Sequence, residues 1–494
     1  MSNYNENIVY EILDECVFVV DKDDDSNIYA EYKLPDGQSC CVNVRSDSFN
    51  RYLRNEYRVR SDERTAPSSF RQELQTKIDE AMENPDSRVR FYRRIAGSIS
   101  KEKIYYALSD ETRRAVKATK DGWKLLREPK VRFLNIKSAK AQVVPQKGGN
   151  LLNLLKPYFN LKDDTFLLFV ICLVQYFSQK SDHFVMVISG PQGSGKSTAT
   201  DIVRELVDPS QINKNLTPKN EDDLKVNLSQ NYMVSIDNSK PLSEVMSNTI
   251  CAAVTGASAS KRKLYTNTEE VIMRMHPVVV LNGINIIPEK SDLIDRSLLF
   301  ETRKISQQNR LTESELLTGF RDDKPKIFGA ILDTLVKAIE LYPTISVEKL
   351  HRMADAHKEM IAIAMALGIQ QDEFQRILDT NIKHLQQVYS GSNEFVDFVV
   401  DYVLRHGKQE GPTSRGFEKM YRNCPGNKKA MPGSASSFSR KMNEERDALK
   451  RCGIQFSVTK KADANYIKIE RVPKNKLTKA QKERTKQLAS NGEQ

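Results

Sequence analysis

Short apolar runs separated by turns dominate the first part of the chain. An acidic turn and a Pro-Asp-Gly turn separate the first three runs, and this pattern predicts a small β-meander within residues 1–60. Further strand-like runs follow before residue 137, so residues 1–140 are expected to form a mixed, β-rich N-terminal domain. The runs lie at 16–20, 28–32, 40–44, 89–92, 103–107 and 131–134.

Helical patterns replace the strand-like runs after Gly148 and Gly149, which mark a linker. Helices are predicted at 151–159 and 163–178, and the second is apolar over most of its length. Its continuous apolar stretch is shorter than the ~20 residues that span a bilayer. We interpret it as a buried helix, expect no membrane contact, and assign residues 141–183 to a helical collar.

Three apolar runs that each end in a polar residue come next. Continuous β-branched and aliphatic residues of this kind are typical of strands buried on both faces of a parallel sheet. They predict an α/β core at 184–305, and the helical patterns after it predict a helical lid at 306–392. The strands are predicted at 184–189, 231–238 and 277–283, and the later helices at 326–341, 347–367 and 371–388.

The last folded segment, 393–473, has the pattern of a winged helix. A helix capped by Thr413 or Ser414 is expected as its second helix, and a longer third helix as its recognition helix. A strand hairpin then forms the wing, and residues 474–494 are predicted to be a basic, disordered tail. The three helices are predicted at 394–406, 413–421 and 436–452, and the hairpin strands at 454–458 and 466–469.

Composition narrows the functional class. The chain has 494 residues, of which 39% are hydrophobic, enough for real cores. The seven cysteines are scattered without a C-x-x-C pair, so neither a zinc site nor a disulfide framework is indicated. The first residues are acidic and lack the features of a signal peptide. A reducing, cytoplasmic location is therefore expected.

Net charge is concentrated at the carboxyl end. The chain carries a formal charge of +11, and residues 411–494 hold 20 Lys and Arg against 8 Asp and Glu, a net of +12. This segment is interpreted as a DNA-binding module, with Arg440, Lys441 and Lys450 as candidate contacts. The alternative is a solvated basic tail that aids solubility.

The strongest motif is the phosphate-binding pattern G-x-x-x-x-G-K-[ST], which lies between a predicted strand and a predicted helix. We expect Lys196 to reach the β- and γ-phosphates of ATP and Ser197 to bind Mg²⁺. A chance match in a glycine-rich turn is the alternative. The residues expected to bind the nucleotide are Gly190, Pro191, Gln192, Gly193, Ser194, Gly195, Lys196, Ser197 and Thr198.

Two later strand ends carry candidate catalytic residues. Asp237 ends a strand about 40 residues after the motif, the usual place of a carboxylate that helps hold Mg²⁺. Asn282 ends another strand and is a candidate to orient water or touch the γ-phosphate, although Asn-Gly pairs are also common in turns. Arg296 is either an arginine finger that acts across a subunit boundary or the partner of Asp292 or Asp295 in an ion pair.

Two basic clusters are candidate nucleic-acid contacts. Lys261, Arg262 and Lys263 precede a turn-rich stretch, and a hairpin that carries them could grip a phosphate backbone. The alternative is that these three charged residues are exposed to solvent and bind nothing. Aromatic and basic residues interleave at Arg90, Tyr92, Arg93 and Arg94, a pattern typical either of a base-stacking surface or of a half-buried strand.

The order of these parts resembles superfamily 3-type helicase ATPases, a branch of the AAA+ proteins, and more closely the primase-helicase-like ATPases of phages, plasmids and mobile elements. The likeness extends over residues 130–390. It implies an α/β P-loop NTPase core with ATP and Mg²⁺ bound between the subunits of a ring, usually a homo-hexamer. It also implies that Asn282 is a sensor, that Arg296 is a finger, and that Lys261, Arg262 and Lys263 lie on a pore hairpin that follows single-stranded DNA.

One position departs from the pattern of this family. Many of its members have a second acid after the strand-ending Asp, where it acts as the base for the attacking water, but this chain has Asn238. Asparagine can hold a water but cannot accept its proton. Hydrolysis is therefore expected to be slow, or to depend on another carboxylate such as Glu244.

The sequence thus predicts an ATP-dependent DNA helicase or replication-initiation ATPase of a mobile genetic element. Its catalytic set is Lys196, Asp237, Asn238, Asn282 and Arg296, and its winged helix binds duplex DNA. A DNA-stimulated ATPase that switches state without unwinding is an alternative. A small-molecule kinase would explain the phosphate-binding motif but not the basic segments.

Overall fold

The chain divides into two compact units. The first comprises Met1–Lys240, Thr249–Ile286 and Phe300–Ile377, and the second Pro241–Asn248, Ile287–Leu299 and Leu378–Gln494. The expected tail, 474–494, lies outside the residues that the structure describes. This computed structural model describes residues 2–34, 37, 39–61, 69–179, 182–212, 218, 220–237, 242–262, 270–283, 291–305, 312–392, 394–423, 431–461 and 464–473.

The first unit begins with a four-stranded sheet and three helices. The strand order is β3-β2-β1-β4, with β1, β2 and β3 forming an antiparallel meander, as expected, and β4 parallel to β1. The elements are α1 (Ser2–Asp14), β1 (Val17–Asp21), β2 (Asp24–Lys33), β3 (Ser39–Asn43), α2 (Asp47–Ser61), α3 (Ser69–Glu83) and β4 (Arg88–Val89).

The helices α1 and α2 were not expected within residues 1–60. In α2 the buried residues Phe49, Tyr52, Leu53 and Tyr57 recur at the three-to-four-residue spacing of a helix face. Aromatic residues favour strands by composition, but here their spacing decides the structure. The interpretation of this region as strands and turns alone was wrong.

A second antiparallel sheet follows, with strand order β6-β7-β8-β9, beside a short parallel pair of β5 and β10. The residues after β10 run without helix or strand to Asn150, which caps the next helix. The elements are β5 (Phe91–Tyr92), β6 (Ile95–Ser98), β7 (Lys103–Ala107), β8 (Ala115–Thr119), β9 (Gly122–Leu126) and β10 (Arg132–Phe133).

The core sheet has strand order β12-β15-β11-β16, and β15 is parallel to both β11 and β12. All six residues of β15 are buried, as expected for a central parallel strand. The elements are α4 (Leu151–Leu155), α5 (Asp163–Gln175), β11 (Val185–Ser189), α6 (Lys196–Val207), α7 (Glu221–Gln230), β12 (Met233–Asp237), α8 (Glu244–Val254), β13 (Ser258–Arg262), β14 (Glu270–Arg274), β15 (Val278–Gly283), α9 (Ser291–Ile294) and β16 (Ser297–Glu301). Of these, α9 belongs to the second unit, and α8 and β16 begin in it.

Helices complete the first unit. α5 is buried along most of its length, and no helix in the described part of the chain is both long and apolar enough to span a bilayer. α10 (Glu313–Leu341) begins 13 residues earlier than expected, because Pro325 lies inside it rather than before it. Thr312 caps this helix reciprocally with Glu315. α11 (Ala354–Ala366) packs against α10 and α5.

The second unit contains helices and a three-stranded antiparallel sheet of order β17-β19-β18. The helix expected at 436–452 is two helices, broken at the buried Glu445. Neither Thr413 nor Ser414 caps α14, and the Thr413 hydroxyl instead donates to the Asn465 carbonyl oxygen. The elements are α12 (Gln371–Ser392), which begins in the first unit, α13 (Glu394–His406), β17 (Gln409–Pro412), α14 (Thr413–Arg422), α15 (Ala435–Glu444), α16 (Arg446–Arg451), β18 (Ile454–Lys461) and β19 (Ala464–Arg471).

A buried guanidinium joins the second sheet to the core. Arg94 is 1% exposed, and its Nε donates to Asp208 Oδ1 at 2.9 Å. Its two terminal nitrogens donate to the Ser109 hydroxyl and to the carbonyl oxygens of Ala107, Lys140 and Pro209. Arg94 therefore holds a structural ion pair and is not part of a base-stacking surface.

Removing this guanidinium should destabilise the first unit strongly. Arg94→Met leaves Asp208 buried without its main cation, and breaking such a pair costs about 3–5 kcal/mol. Arg88→Met, which removes an exposed ion pair with Asp25, should cost at most about 1 kcal/mol. Urea unfolding followed by the fluorescence of Trp123, the one tryptophan of the chain, measures both. Equal midpoints for the two variants would contradict the structural role of Arg94.

Candidate functional site

Three parallel strands bring polar side chains to one edge of the core sheet. In the register of β15 with its neighbours, Asn282 lies opposite Asp237 on β12 and opposite Ile188 on β11. The carboxyl ends of these strands share an edge, and α6 begins at Lys196, just after the loop that follows β11. Ligands of open α/β sheets bind at this edge.

Glycines with positive φ shape the loop between β11 and α6. Gly190, Gly193 and Gly195 have φ of 150°, 72° and 85°. A Cβ at Gly190 would collide with Oγ1 of Thr302 and lie 2.7 Å from its carbonyl oxygen, so a larger residue does not fit. Gly195 precedes the first turn of α6, where backbone N–H groups lack helical partners and favour an anion.

Thr302 attaches this loop to the sheet. Its backbone nitrogen donates to the Ser189 carbonyl oxygen at 2.8 Å, and its hydroxyl lies 2.6 Å from the Ser194 hydroxyl. Ser194 Oγ in turn donates to the Pro191 carbonyl oxygen at 2.8 Å. The sequence did not single out Thr302, since its only signal is its position directly after β16.

The Lys196 ammonium lies within the loop. Nζ donates to the carbonyl oxygens of Gly190 and Pro191, both at 2.8 Å, and the residue is only 8% exposed. Burial lowers the pKa of this ammonium, and the nearby Asp237 carboxylate partly offsets that effect. A phosphate oxygen entering the loop would meet a cation that donates to two carbonyl oxygens.

Ser197, Asp237 and Asn282 form a hydrogen-bonded trio at the strand ends. Asn282 Nδ2 donates to Asp237 Oδ1 at 2.8 Å, and Ser197 Oγ donates to Asp237 Oδ2 at 3.4 Å. Asn282 is fully buried, and its Oδ1 has no hydrogen-bond partner among the residues described. A buried amide oxygen left unpaired is costly, so this atom is suited to accept a hydrogen bond from a bound ligand or water.

The donor set fits Mg²⁺ rather than a metal held by protein ligands alone. Within the described ranges, no three His, Cys, Asp or Glu side chains come together as a metal site. Ser197 and Asp237 offer one hydroxyl and one carboxylate next to each other. Mg²⁺ is usually bound by one or two such groups, with phosphate and water oxygens completing its shell.

A cavity of about 700 Å³ adjoins the loop. This volume is within the ~300–1,000 Å³ of small-molecule sites. Gly193, Gly195 and Thr198 form its polar wall, and Phe159 and Ile305 belong to its apolar wall. The sequence did not predict this second wall, because residues that are distant in sequence build it.

The segments around Asn160 and Arg303 are joined by two hydrogen bonds beside the cavity. Asn160 Nδ2 donates to the Arg303 carbonyl oxygen at 2.6 Å, and the Arg303 nitrogen donates back to the Asn160 carbonyl oxygen at 3.1 Å. Both residues line the cavity. The pairing joins the two segments through the backbone of Arg303 and does not use its guanidinium.

The other expected catalytic residues are not part of this cluster. Asn238 lies outside the described residues. Arg296 belongs to the second unit, where Nη1 bonds both the carboxylate of Asp292, at 2.5 Å, and its carbonyl oxygen. The ion pair weighed as the alternative for Arg296 is therefore present within the chain.

The candidate DNA contacts fall on two substructures. β13 and β14 pair as an antiparallel hairpin whose backbone includes Lys261 and Arg262, while Lys263 lies outside the described residues. In the second unit Arg440 is 78% exposed on α15, and Lys441 pairs with Glu445 at 3.0 Å. Lys450 is exposed on α16, so the break at Glu445 places it on a different helix from the other two.

Gly190→Ala should test the steric demand of the loop. We expect it to cost about 1–3 kcal/mol, because the added methyl group must displace Thr302. Gly148 also has a positive φ, but a Cβ there meets nothing within 4 Å. Gly148→Ala therefore introduces backbone strain without a steric clash. Its thermal denaturation midpoint should fall less than that of Gly190→Ala. A smaller loss for Gly190→Ala than for Gly148→Ala would contradict the close packing of Gly190 on Thr302.

Comparison with known proteins gives one family match. Residues 154–381, just under half of the chain, match the family described as "Actinomycete integrative conjugative element replication protein". The matched segment includes the loop, the strand ends, the hairpin strands and α10 to α12 up to residue 381. No curated protein matches the chain.

Three solved structures resemble the chain over most of its length. They are two A-form apo structures and a further apo structure of the NrS-1 C-terminal region. Each aligns with 94% of this chain and with 98–99% of its own, at 13–14% identity and TM-scores of 0.38–0.40. The family match alone shows that the sequence of residues 154–381 is similar to replication proteins of a mobile element.

Proposed function

We propose that this chain is an ATP-hydrolysing replication protein of a mobile genetic element that acts on DNA. The observation that carries the proposal is the convergence of Lys196, Ser197, Asp237 and Asn282 at the ends of parallel strands, next to the start of α6. The family match over residues 154–381 supports the role in replication. The fold of the core is accordingly proposed to be a P-loop NTPase.

Each residue of the cluster has a separate task in this proposal. The N–H groups at the start of α6 and the Lys196 ammonium bind the β- and γ-phosphates. Ser197 and Asp237 hold Mg²⁺, which neutralises the charge that develops on the phosphates during hydrolysis. The cavity beside the loop takes the base and ribose, with Phe159 and Ile305 among its apolar walls.

Hydrolysis needs positioning more than covalent chemistry. A water oxygen bonds to the γ-phosphorus, the bond to the β–γ bridging oxygen breaks, and the water proton leaves to solvent or to a nearby base. Asn282 is proposed to hold this water, because its buried Oδ1 is unpaired in the described structure while Nδ2 is anchored to Asp237. Asn238 cannot accept the proton, so slow turnover is expected.

DNA contacts complete the proposal. The hairpin of β13 and β14 carries Lys261 and Arg262 and would grip single-stranded DNA. The order α13, β17, α14, α15, α16 and the hairpin of β18 and β19 agrees with a winged helix, which is proposed to bind duplex DNA through Arg440 and Lys450. A homo-hexameric ring with ATP between subunits follows from the resemblance to superfamily 3 helicases.

Substitutions at two cluster residues should separate binding from catalysis. Lys196→Ala removes a charged contact to phosphate and should weaken ATP binding about 10- to 100-fold. Asn282→Ala should leave ATP binding nearly unchanged and lower kcat about 10²-fold, as expected for one positioned polar group. Binding of a fluorescent ATP analogue and release of phosphate measure the two effects.

The control for these variants is Lys225→Ala, which removes a partly exposed cation paired with Glu221 and should change neither quantity. If Lys196→Ala bound and hydrolysed ATP normally, the proposed site would be wrong.

Unwinding of a forked duplex distinguishes a helicase from an ATPase that switches state without unwinding. ATP-dependent unwinding identifies a helicase, whereas DNA-stimulated hydrolysis without unwinding identifies a switch.

Arg296 should act on the ATP of a neighbouring subunit. Arg296→Ala then lowers kcat by about 10³-fold or more, and mixing it with Lys196→Ala subunits restores activity at interfaces that keep both groups. Asp292→Ala is the matched control, because it breaks the same ion pair but retains the guanidinium. Equal losses for Arg296→Ala and Asp292→Ala, with no recovery on mixing, would indicate a structural role instead.

A further inference from the structure

A second and larger cavity lies in the N-terminal part of the first unit. Its volume is about 1290 Å³, and none of its lining residues belongs to the P-loop site. The β2–β3 hairpin, the turn at 109–114 and the segment 127–139 supply most of its walls. We call it the N-terminal groove, and the lining residues that matter here are Lys33, Cys40, Arg113, Arg127, Lys130 and Phe133.

Most carboxylates of the N-terminal groove are already neutralised. Glu31, Asp110 and Glu15 line it, and each forms a short ion pair with an arginine. These carboxylates therefore contribute little net negative charge to the surface that a ligand would meet. The pairs are Arg132 with Glu31 at 2.6 Å, Arg114 with Asp110 at 2.7 Å, and Arg60 with Glu15 at 2.7 Å.

Four further cations line the same groove without such partners. Lys33, Arg113, Arg127 and Lys130 form no ion pair with a carboxylate in the part of the chain that the structure describes. Glu128 is the one carboxylate of the lining outside the three pairs above. The groove thus presents an excess of positive charge, which suits a ligand with several negative groups.

The turn at 109–114 holds Arg113 in an unusual conformation. Arg113 and Ser109 have φ of 53° and 52°, in a region that costs a non-glycine residue about 1–2 kcal/mol. The turn is fixed by Asp110, which accepts hydrogen bonds from the backbone nitrogens of Arg113 and Arg114 through its carbonyl oxygen and side chain. Arg113 Nη2 lies 3.5 Å from Cys40 Sγ, inside the groove. Strain retained at a rigid turn is typical of functional positions.

Size and an aromatic ring indicate the kind of ligand. The groove exceeds the ~300–1,000 Å³ of small-molecule sites, so it can hold several units of a polymer. Phe133 lines it and is only half-buried. Cations that follow a phosphate backbone, combined with a ring on which a base stacks, are the two elements of single-strand recognition.

We propose that the N-terminal groove binds a segment of single-stranded DNA. Arg113, Arg127 and Lys130 contact its phosphates, and Phe133 stacks on a base. This site is separate from the β13–β14 hairpin and from the second unit. It requires no nucleotide at the P-loop, so its test does not depend on whether the chain hydrolyses ATP.

Cys40 provides a local reporter in the full-length chain. Its thiol is partly exposed beside Arg113, so DNA in the groove should slow its reaction with N-ethylmaleimide. Burial raises the pKa of the adjacent Cys41 thiol to about 12, and a Cys41→Ser background leaves Cys40 as the single thiol of that peptide. Alkylation is followed by peptide mass spectrometry without ATP, with and without oligothymidylate. We expect DNA to slow the alkylation of Cys40 several-fold.

A triple variant links this protection to the cations. Arg113→Asn, Arg127→Ala and Lys130→Ala together should abolish the protection of Cys40, and asparagine tolerates the positive φ at 113. In fluorescence anisotropy the slope of log K against log salt should fall in magnitude by about 2, as expected for three lost phosphate contacts to a single strand. The control removes three exposed lysines that do not line the groove, Lys101, Lys103 and Lys120, by substitution with alanine.

Four results would overturn the proposal. Cys40 could react at the same rate with and without saturating oligothymidylate. The triple variant, with an unchanged melting temperature, could retain both the protection and the salt slope. Alternatively dATP alone could protect Cys40 while the oligonucleotide does not, which would identify a nucleotide pocket. Equal effects of the triple variant and its lysine control would likewise show non-specific charge loss.

Discussion

The buried pair of Arg94 and Asp208 constrains the two elements that build the candidate site. Asp208 ends α6 as its carboxyl-terminal cap, and its Oδ2 accepts a hydrogen bond from the backbone nitrogen of Met233, the first residue of β12. Arg204 reinforces this junction by donating to the Met233 carbonyl oxygen and to Ser235 Oγ. The far ends of α6 and β12 carry Ser197 and Asp237. Because a helix and a strand transmit position along their length, fixing one end of each sets the separation of the residues at the other end.

The Asp237 carboxylate at the end of β12 has a neutral partner, the side-chain amide of Asn282. Asn282 Nδ2 lies 2.8 Å from Asp237 Oδ1, a distance at which a second carboxylate would repel the first and raise the pKa of one of them. An amide instead donates to Asp237, whose other oxygen accepts from Ser197. The same amide leaves its buried oxygen for another partner. One side chain thus orients the carboxylate and offers an acceptor, which explains why an asparagine suits this strand end.

The sequence predicted the local parts of this arrangement well. The strand before the loop, the helix after it and the strand that ends at Asp237 are all found within one or two residues of expectation, because continuous apolar runs and a glycine-rich loop determine them locally. Helices α1 and α2 were missed because the strand-like runs and turns between them were taken to describe the whole of residues 1–60. Thr302 and the apolar wall of the cavity could not be foreseen, since they reach the loop only through the order of strands in the sheet. Arg94 was open to two interpretations because burial, which decides between them, is a tertiary property.

The distribution of net charge along the chain predicted nucleic-acid binding at the carboxyl end. It gave no sign of the positive charge in the N-terminal groove. Residues 1–410 are nearly neutral in total, since the carboxyl-terminal segment accounts for the whole excess of +11. In the fold, however, acidic and basic residues are not distributed evenly. Glu15, Glu31 and Asp110 each form an ion pair with an arginine. The other cations of the groove therefore determine its local electrostatic potential. A ligand responds to charges within about one Debye length, ~8 Å at physiological salt, so the pairing of individual carboxylates determines what such a surface can bind.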